Sequence, residues 1–438
     1  MNKKVKKSIG ELKHFLTLWS TQSLSALGSS MTTFALTLWL YKRTGSAVQT
    51  ALLAICTYAP YVLMSIFAGA LSDRWDKKKT MLVCDTLAAL CTAVVCVMLR
   101  LDLLMPWHLY VINGLSGLMN TVQQPAADVA MTLIIPKKHY QKTSGMRSFS
   151  QSLITILNPI LATALFSLTG IYSVIIIDLI SFLIAFIALL LFVDIPDIEG
   201  KQNEHKESVL VSAKKGLIFL KENPLLLTLI LFLAGVNLVA SAFDAVLPAY
   251  VLSNPRGSDA ILGIVTSSAG VATLIGSAIA TMLPKPKNRV RVIYLTMLFS
   301  LSIENFVLAF SREPVLWCFA QILGWSVVPI MSTNMDVILR SSIPVEMQGR
   351  VYSCRNTLQF FTIPLGLYGG GFFVDQVCEP FMQRTTDGSI LQMLFGTTKG
   401  SGAAMVMFIL GILGVVICLV FGKYMGKYRY IESIDRLD

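Results

Sequence analysis

Three acidic residues interrupt long apolar stretches of the chain. Asp178, Asp244 and Glu304 each lie well inside a run that is otherwise hydrophobic. A carboxyl group is costly in hydrocarbon, so its presence there suggests that it carries a proton or binds a cationic group. Asp244 is the first candidate because Asn237 and Ser241 precede it at helical spacing. For Asp178 and Glu304, hydrogen bonding between neighbouring helices is an equal explanation.

Other polar side chains recur at steps of three and four residues in four apolar stretches. This spacing places them on one face of each helix, which indicates a surface turned toward protein or water rather than lipid. The residues that form these polar faces include Gln22, Ser29, Asn113, Asn120, Gln124, Asn237, Ser241, Gln321 and Trp325. Hydrogen bonding between helices is the simpler explanation for any single Ser or Thr. By itself, the periodicity shows only that each helix has a polar side.

Sequence signatures of catalysis are missing from the chain. It contains no G-x-x-x-x-G-K-[ST] loop for ATP, no G-x-S-x-G or H-E-x-x-H motif, and no Cys or His spacing typical of a metal site. The sequence therefore predicts neither an enzyme nor a cofactor or metal requirement. Without an ATP-binding loop, any transport of a ligand across a membrane would be driven by an ion gradient or by the ligand's own gradient. Protons are the first choice of ion.

The basic residues define the elements that position these side chains. Most of the 36 Lys and Arg residues fall in seven short segments separated by apolar runs, namely 1–13, 74–79, 137–147, 201–221, 285–291, 340–355 and 423–436. Positively charged loops face the cytoplasm, so both termini are predicted to be inside and the number of spans to be even. A helix of about 20 residues crosses the hydrocarbon core. Twelve spans fit, at 14–41, 46–72, 80–100, 105–134, 143–168, 171–193, 223–252, 260–283, 291–311, 314–339, 348–374 and 402–424.

Composition agrees with a multi-pass protein of the cell (inner or plasma) membrane. The chain is 54% hydrophobic and 14% charged. Its net charge of +11 follows from basic cytoplasmic loops beside anionic lipid headgroups, so nucleic acid is not an expected partner. The lipid bilayer is therefore the predicted environment.

An internal repeat divides the chain into halves. An offset of 208 residues aligns Asp128 with Asp336 and Arg147 with Arg355. Two six-helix bundles in the same orientation form the parallel repeat found in one class of transporter. We predict an N-terminal bundle at 1–195, a cytoplasmic linker at 196–222 and a C-terminal bundle at 223–438.

The loop after span two carries a family resemblance. It reads Gly-Ala-Leu-Ser-Asp-Arg-Trp-Asp-Lys-Lys-Lys from Gly69, which resembles the G-x-L-x-D-R-x-G-R-R/K signature of the major facilitator superfamily. The matching positions include Gly69, Asp73 and Arg74, whereas Asp76 replaces the usual glycine. With aspartate at this position, the loop resembles that of the branch that contains macrolide-type efflux proteins and siderophore exporters. The resemblance covers the whole chain and implies an all-α fold of twelve membrane helices.

The resemblance also implies a gate at the inner ends of the helices. A cluster of Asp73, Lys77 and Asp128 would latch the two halves, and Asp73 would dock on the N-terminal end of span eleven, where the helix dipole is positive. Arg147 and Arg355 would anchor helix ends against Asp128 and Asp336 respectively, although snorkelling to the interface is nearly as good an explanation. The second half lacks this loop, so latching is expected to be asymmetric.

For function, the resemblance implies that spans one, four, seven and ten line a central cavity, while spans six and nine are peripheral. The expected activity is export of lipophilic or amphipathic small molecules by proton antiport, with alternating access and a monomeric chain. An importer or exporter of a metabolite or siderophore is the first alternative, and a transporter-fold sensor is a remote one. The polar spans lack a mid-span Lys or Arg, which favours neutral or cationic ligands over anions.

Overall fold

The computed structural model describes residues 12–72, 75–136, 139–196, 209–385 and 388–425, and within these ranges the chain is helical with short connections and without β-strands. It divides into two compact units. The first unit comprises Met1–Trp39 with Cys56–Val211, and the second comprises Leu40–Ile55 with Ser212–Asp438. Segment 40–55, the tip between the first two long helices, is thus part of the second unit.

The first unit is built mainly from six long helices. They are α1 (Lys13–Thr44), α2 (Ala47–Ser72), α3 (Lys77–Arg100), α4 (Pro106–Ile134), α5 (Tyr140–Thr169) and α6 (Ile171–Phe192). Small residues let them approach closely. A Cβ atom on Gly117 of α4 would lie 2.3 Å from the carbonyl oxygen of Thr57 in α2, so only glycine permits this contact. Buried Leu18, Met81 and Ala126 join α1, α3 and α4 near one end of the unit.

The second unit contains the remaining helices, apart from the first three residues of α7. They are α7 (Val209–Glu222), α8 (Pro224–Ser253), α9 (Asp259–Met282), α10 (Arg289–Phe310), α11 (Pro314–Ser326), α12 (Val328–Ser342), α13 (Val345–Phe360), α14 (Thr362–Phe372), α15 (Glu379–Arg384), α16 (Ile390–Phe395) and α17 (Ser401–Met425). A π-helical segment, Phe373–Cys378, joins α14 to α15. Helix α7 lies in the predicted linker.

Each predicted span coincides with a long helix or with consecutive helices. Ten of these in the described ranges are long and apolar enough to cross a membrane. The other two, α1 and α4, are of ample length but carry polar residues along one side. These are the helices that correspond to spans one and four. Their polarity therefore reflects what they face inside the protein.

Two spans of the second unit are interrupted at prolines. The tenth breaks at Val327, between α11 and α12, and the eleventh breaks at Phe361, between α13 and α14. Pro329 and Pro364 follow these breaks and lack the N–H that would continue the helix. The π-helical segment adds a third irregularity, at the far end of the eleventh span. Such segments are frequent at functional positions.

Candidate functional site

A polar groove of about 450 Å³ lies within the first unit. All five side chains that the sequence predicted for the cavity lining of this half contribute to its wall: Gln22, Ser29, Asn113, Asn120 and Gln124. Helices α1 and α4 provide these residues, because the steps of three and four in their sequences turn the polar faces inward. Apolar side chains complete the wall, among them Trp19, Leu36, Met81, Met131 and Phe182. The groove is therefore amphipathic.

An acidic residue that the sequence reasoning missed lies in this groove. Asp85 of α3 is half-buried, and both of its carboxylate oxygens accept hydrogen bonds from amide side chains. Gln123 Nε2 lies 2.5 Å from Oδ1, and Gln22 Nε2 lies 3.1 Å from Oδ2. The two amides fix the carboxylate in one orientation on the groove wall. The signal was present in the sequence, since Asp85 falls inside the predicted span 80–100.

A second carboxylate lines the same groove. Asp178 of α6 is 3% exposed, and its Oδ1 accepts a hydrogen bond from Ser29 Oγ at 2.9 Å. Gly28 makes room for this contact, because a Cβ there would lie 3.0 Å from the Cα of Asp178. Span six was expected to be peripheral, but Asp178 is on the groove wall.

The end of the groove nearest the predicted cytoplasmic side carries an ion pair. Arg147 of α5 binds Asp128 of α4, and the two side chains are 40% and 46% exposed. Gln124 Nε2 also donates to Asp128 Oδ2, at 3.2 Å. Arg147 is the only Lys or Arg among the described residues of the groove wall, and its charge is balanced by Asp128.

The predicted gate loop is only partly described. Gly69 is in the last turn of α2, whereas Asp73 and Arg74 lie outside the described residues. Lys77 is 8% exposed and donates from Nζ to the carbonyl oxygen of Trp75 at 3.0 Å. Asp76 caps α3, because its Oδ1 accepts from the Lys79 N–H at 2.7 Å. This cap is a physical reason for aspartate where the superfamily signature has glycine.

The second unit holds the other two predicted acids in a different setting. Glu304 of α10 is 5% exposed, and its Oε1 accepts from Trp325 Nε1 at 3.0 Å. It also interacts electrostatically with Asp244 of α8. Asp244 itself is exposed, although every other side chain of 232–253 is buried or half-buried. The structure thus brings together two acids and a tryptophan that the sequence had placed on three separate spans.

Among the remaining polar side chains predicted for the second half, Asn237 and Ser241 form hydrogen bonds inside the unit, and Gln321 is buried there. Asn237 Nδ2 donates to the carbonyl oxygen of Gln359 at 3.1 Å, and Ser241 Oγ donates to that of Asn237 at 2.6 Å. Gln321 is 1% exposed. Helix α14 covers this side of α8, because a Cβ on Gly366 would lie 2.1 Å from Ser241 Oγ. Their role as cavity lining stays a prediction.

The second arginine of the repeat differs from the first. Arg355 Nε donates to Gln359 Oε1 at 3.1 Å, one turn farther along α13. Asp336, its expected partner, is exposed on α12. The anchoring of Arg355 against Asp336 stays a prediction. Across the described ranges, no group of three or more His, Cys, Asp or Glu side chains could hold a metal ion.

Comparison with known proteins agrees with this geometry. Residues 18–367 match the model of the Major Facilitator Superfamily. Macrolide efflux protein A of Streptococcus pyogenes is 24% identical over 366 residues, which cover 83% of this chain and 90% of that protein. Multidrug efflux pump Tap of Mycolicibacterium fortuitum is 22% identical over 360 residues, covering 80% and 86%. The crystal structure of a bacterial homologue of the human lysosomal transporter Spinster superposes with a TM-score of 0.71 at 14% identity, covering 95% and 97%. The predicted family resemblance and the all-helical membrane fold are confirmed.

Proposed function

Since the chain belongs to the Major Facilitator Superfamily, we propose that it exports lipophilic or amphipathic small molecules by proton antiport, in an alternating-access cycle. It is a multi-pass membrane transporter and not an enzyme. Relatives that cover most of its length are named for efflux of macrolides and of multiple drugs. The proposal extends that activity to this chain, placed in the plasma membrane as a monomer with both termini in the cytoplasm.

The observation that carries the proposal is the groove of the first unit. Its volume of about 450 Å³ is in the range of drug-sized ligand sites. Aromatic and Met side chains on its wall adapt to ligands of different shape. Two carboxylates, Asp85 and Asp178, lie on its wall. Arg147 is the one basic side chain among the described wall residues, and it is paired with Asp128. This charge pattern favours a neutral or cationic ligand.

Proton coupling is assigned to the acids of the second unit. Glu304 is buried and interacts electrostatically with Asp244, and two like charges near each other repel. Binding one proton relieves this repulsion. Asp244 is exposed and can exchange the proton, whereas Glu304 is buried against Trp325. The arrangement supports a shared proton site on α8 and α10.

Accumulation of labelled compounds in expressing cells tests the proposal. A panel of neutral and cationic amphiphiles is measured with and without a protonophore, beside cells that carry an empty vector. Lower accumulation that the protonophore abolishes is the expected result. Higher accumulation would identify uptake, as in the metabolite or siderophore alternative, and would overturn the export assignment. Lower accumulation that the protonophore does not abolish would contradict proton antiport but would still support export.

A further inference from the structure

A cavity of about 190 Å³ lies inside the second unit, at the ends of three predicted spans. Its wall comes from the C-terminal ends of α8 and α10 and from the segment that leads into α17. By the predicted topology these ends are on the outer side of the membrane, so we call this cavity the outer pocket. Its volume is below the range of about 300–1,000 Å³ for drug-sized ligand sites. The outer pocket therefore suits a small chemical group.

The wall of the outer pocket is basic. Arg256, Arg312 and Lys399 line it, and none of the described wall residues is Asp or Glu. These three belong to the seven Lys and Arg residues that lie at or between the outer ends of the predicted spans. Outer loops are poor in basic residues, so the positive-inside rule does not explain why three separate loops bring theirs together. The convergence indicates an anionic ligand.

Two of these three charges are available to a ligand. Arg256 forms an ion pair with Glu313. Arg312 and Lys399 are exposed, and neither forms an ion pair within the part of the chain that the structure describes. Arg312 Nη2 donates to the carbonyl oxygen of Met393 at 3.3 Å, which leaves other N–H donors of the guanidinium for a ligand. An anion in the outer pocket would thus meet two uncompensated positive charges.

Buried hydrogen bonds fix the floor of the outer pocket. The Tyr250 hydroxyl lies 2.7 Å from the Leu308 carbonyl oxygen and 2.5 Å from that of Ser311. Trp317 packs edge-on against the Tyr250 ring, and its Nε1 donates to the Ser311 carbonyl oxygen at 3.3 Å. Tyr250 and Ser311 are themselves wall residues. The end of α10, which carries Arg312, is therefore held in place.

The loop that carries Lys399 is fixed as well. Gly396 and Gly400 adopt φ angles of +99° and +97°, which favour glycine, and they bracket the loop. The Gly400 N–H donates to Glu379 Oε1 at 3.0 Å. Since both flanks of Lys399 are constrained, the basic wall is formed before a ligand binds.

A short apolar helix adjoins the outer pocket. In α16, Ile390 and Met393 are 76% and 83% exposed, whereas Phe395 is buried and forms part of the pocket wall. The hydrogen bond from Arg312 to the Met393 carbonyl oxygen makes the charged and the apolar surfaces continuous. A polar face beside exposed apolar side chains, at the end of membrane spans, suits the boundary between lipid headgroups and acyl chains.

We propose that the outer pocket binds the phosphate of an anionic phospholipid, while the exposed side chains of α16 contact its acyl chains. Phosphate oxygens accept charge-assisted hydrogen bonds from Arg and Lys, and basic pockets between membrane helices bind lipid headgroups in this way. A soluble anion could use the same basic wall but would leave Ile390 and Met393 exposed to water. The outer pocket shares no wall residue with the groove of the first unit, so this site is additional to that of the transported compound.

Native mass spectrometry of the purified full-length protein measures lipid binding directly. Phosphatidylglycerol is titrated into delipidated wild-type protein and into a variant with both Arg312→Gln and Lys399→Gln. We expect the affinity of the double variant to be roughly ten- to a hundredfold lower, as for loss of charged hydrogen-bond donors. Both side chains are exposed, so the variant should fold, which thermal unfolding in detergent verifies. Undiminished binding by the folded double variant would overturn the proposal.

Arg384 provides a matched control in the same unit. It is also an exposed arginine on the predicted outer side, but it does not line the outer pocket. Arg384→Gln should leave the affinity for phosphatidylglycerol within about twofold of the wild type. A loss as large as that from Arg312→Gln alone would mean that the lipid responds to overall charge and would count against a specific site.

A substitution in α16 distinguishes a lipid from a soluble anion. Ile390→Gln with Met393→Gln keeps the basic wall but removes the apolar contacts. We expect the affinity for phosphatidylglycerol to fall roughly tenfold, while that for inorganic phosphate, measured by calorimetry, stays the same. Unchanged lipid affinity, or inorganic phosphate that binds as tightly as the lipid, would identify a soluble-anion site and overturn the lipid assignment. These measurements need no transported compound, so they decide the lipid site even if the export assignment fails.

Discussion

The two halves of the repeat use similar polar residues in opposite ways. In the first unit they line an open groove, and only 11% of the apolar window of α3 and 17% of that of α5 are buried. In the second unit the shares are 44% for α10, the counterpart of α3, and 39% for the eleventh span, the counterpart of α5, and Asn237 is hydrogen-bonded to a neighbouring helix. Under the proposed function, the more loosely packed half binds the ligand and the more tightly packed half exchanges the proton.

The largest expected effect is on ligand affinity, when the charge of Asp85 is removed from the groove of the first unit. Asp85→Asn keeps one oxygen for Gln22 or Gln123 but removes the negative charge from the groove. We expect affinity for a cationic amphiphile to fall about a hundredfold, as for loss of a charged hydrogen-bonding partner at a partly buried site. Affinity for a neutral amphiphile of similar size should change less than about threefold. Fluorescence titration of the purified protein with both compounds measures the difference.

Asp85→Glu is the control, because it retains the charge. Equal losses for the cationic and the neutral compound would point to damaged packing instead of a charge-selective site. Unchanged binding of both would remove Asp85 from the site, and the first unit would no longer be the binding half.

A substitution at the acids of the second unit should impair proton coupling without weakening ligand binding in the first unit. Glu304→Gln keeps an acceptor for Trp325 Nε1 but cannot release a proton. If one proton charge fewer is coupled to export, the transporter loses about 2.3 kcal/mol of driving free energy at a membrane potential of 100 mV. The concentration gradient that it can sustain then falls about fiftyfold. We expect this loss in protonophore-sensitive accumulation, while binding to the groove stays within about twofold of the wild type. Weaker binding in this variant would mean that the two functions are not divided between the units.

Sequence alone predicted the fold, and it singled out five side chains that the structure places on the groove wall. Basic loops and apolar length determine the number of spans, and polar steps of three and four in α1 and α4 were enough to identify the groove wall. The same pattern in α8 was not enough, because a polar face tells only that a helix faces protein or water. Gly366 and Gly370 decide the outcome by letting α14 cover that face.

Two acids escaped prediction for positional reasons. Asp85 lies close to the basic run 77–79, so it resembles a charge at the end of a span. Asp375 follows the predicted end of span eleven at residue 374 by one position, so the sequence pattern places it in an outer loop. It lies in the π-helical segment Phe373–Cys378, and its carboxylate accepts hydrogen bonds from the Ala47 and Val48 N–H groups of α2. Neither this segment nor the partner of Asp375 in α2 can be read from local sequence.

Tight packing of the second unit predicts a sharp contrast between neighbouring glycines. A Cβ on Gly366 would lie 2.1 Å from Ser241 Oγ and 2.3 Å from the Leu238 carbonyl oxygen, whereas nothing lies within 4 Å of one on Gly369. Gly366→Ala should therefore destabilise the protein by about 1–3 kcal/mol. Gly369→Ala should be neutral or stabilising by up to about 1 kcal/mol, because alanine favours helix. Thermal unfolding in detergent compares the two, and equal effects would argue against close contact of α14 with α8.

The smallest effect is expected at the ion pair of the first unit. Arg147 and Asp128 are 40% and 46% exposed, so water and salt screen their attraction. A double-mutant cycle of Arg147→Ala and Asp128→Ala should give a coupling free energy of about 0–1 kcal/mol that falls in high salt. A salt-independent coupling of about 3 kcal/mol or more would require a desolvated pair. In that case the groove end would be closed and rigid, and the first unit could not be the looser half of the transporter.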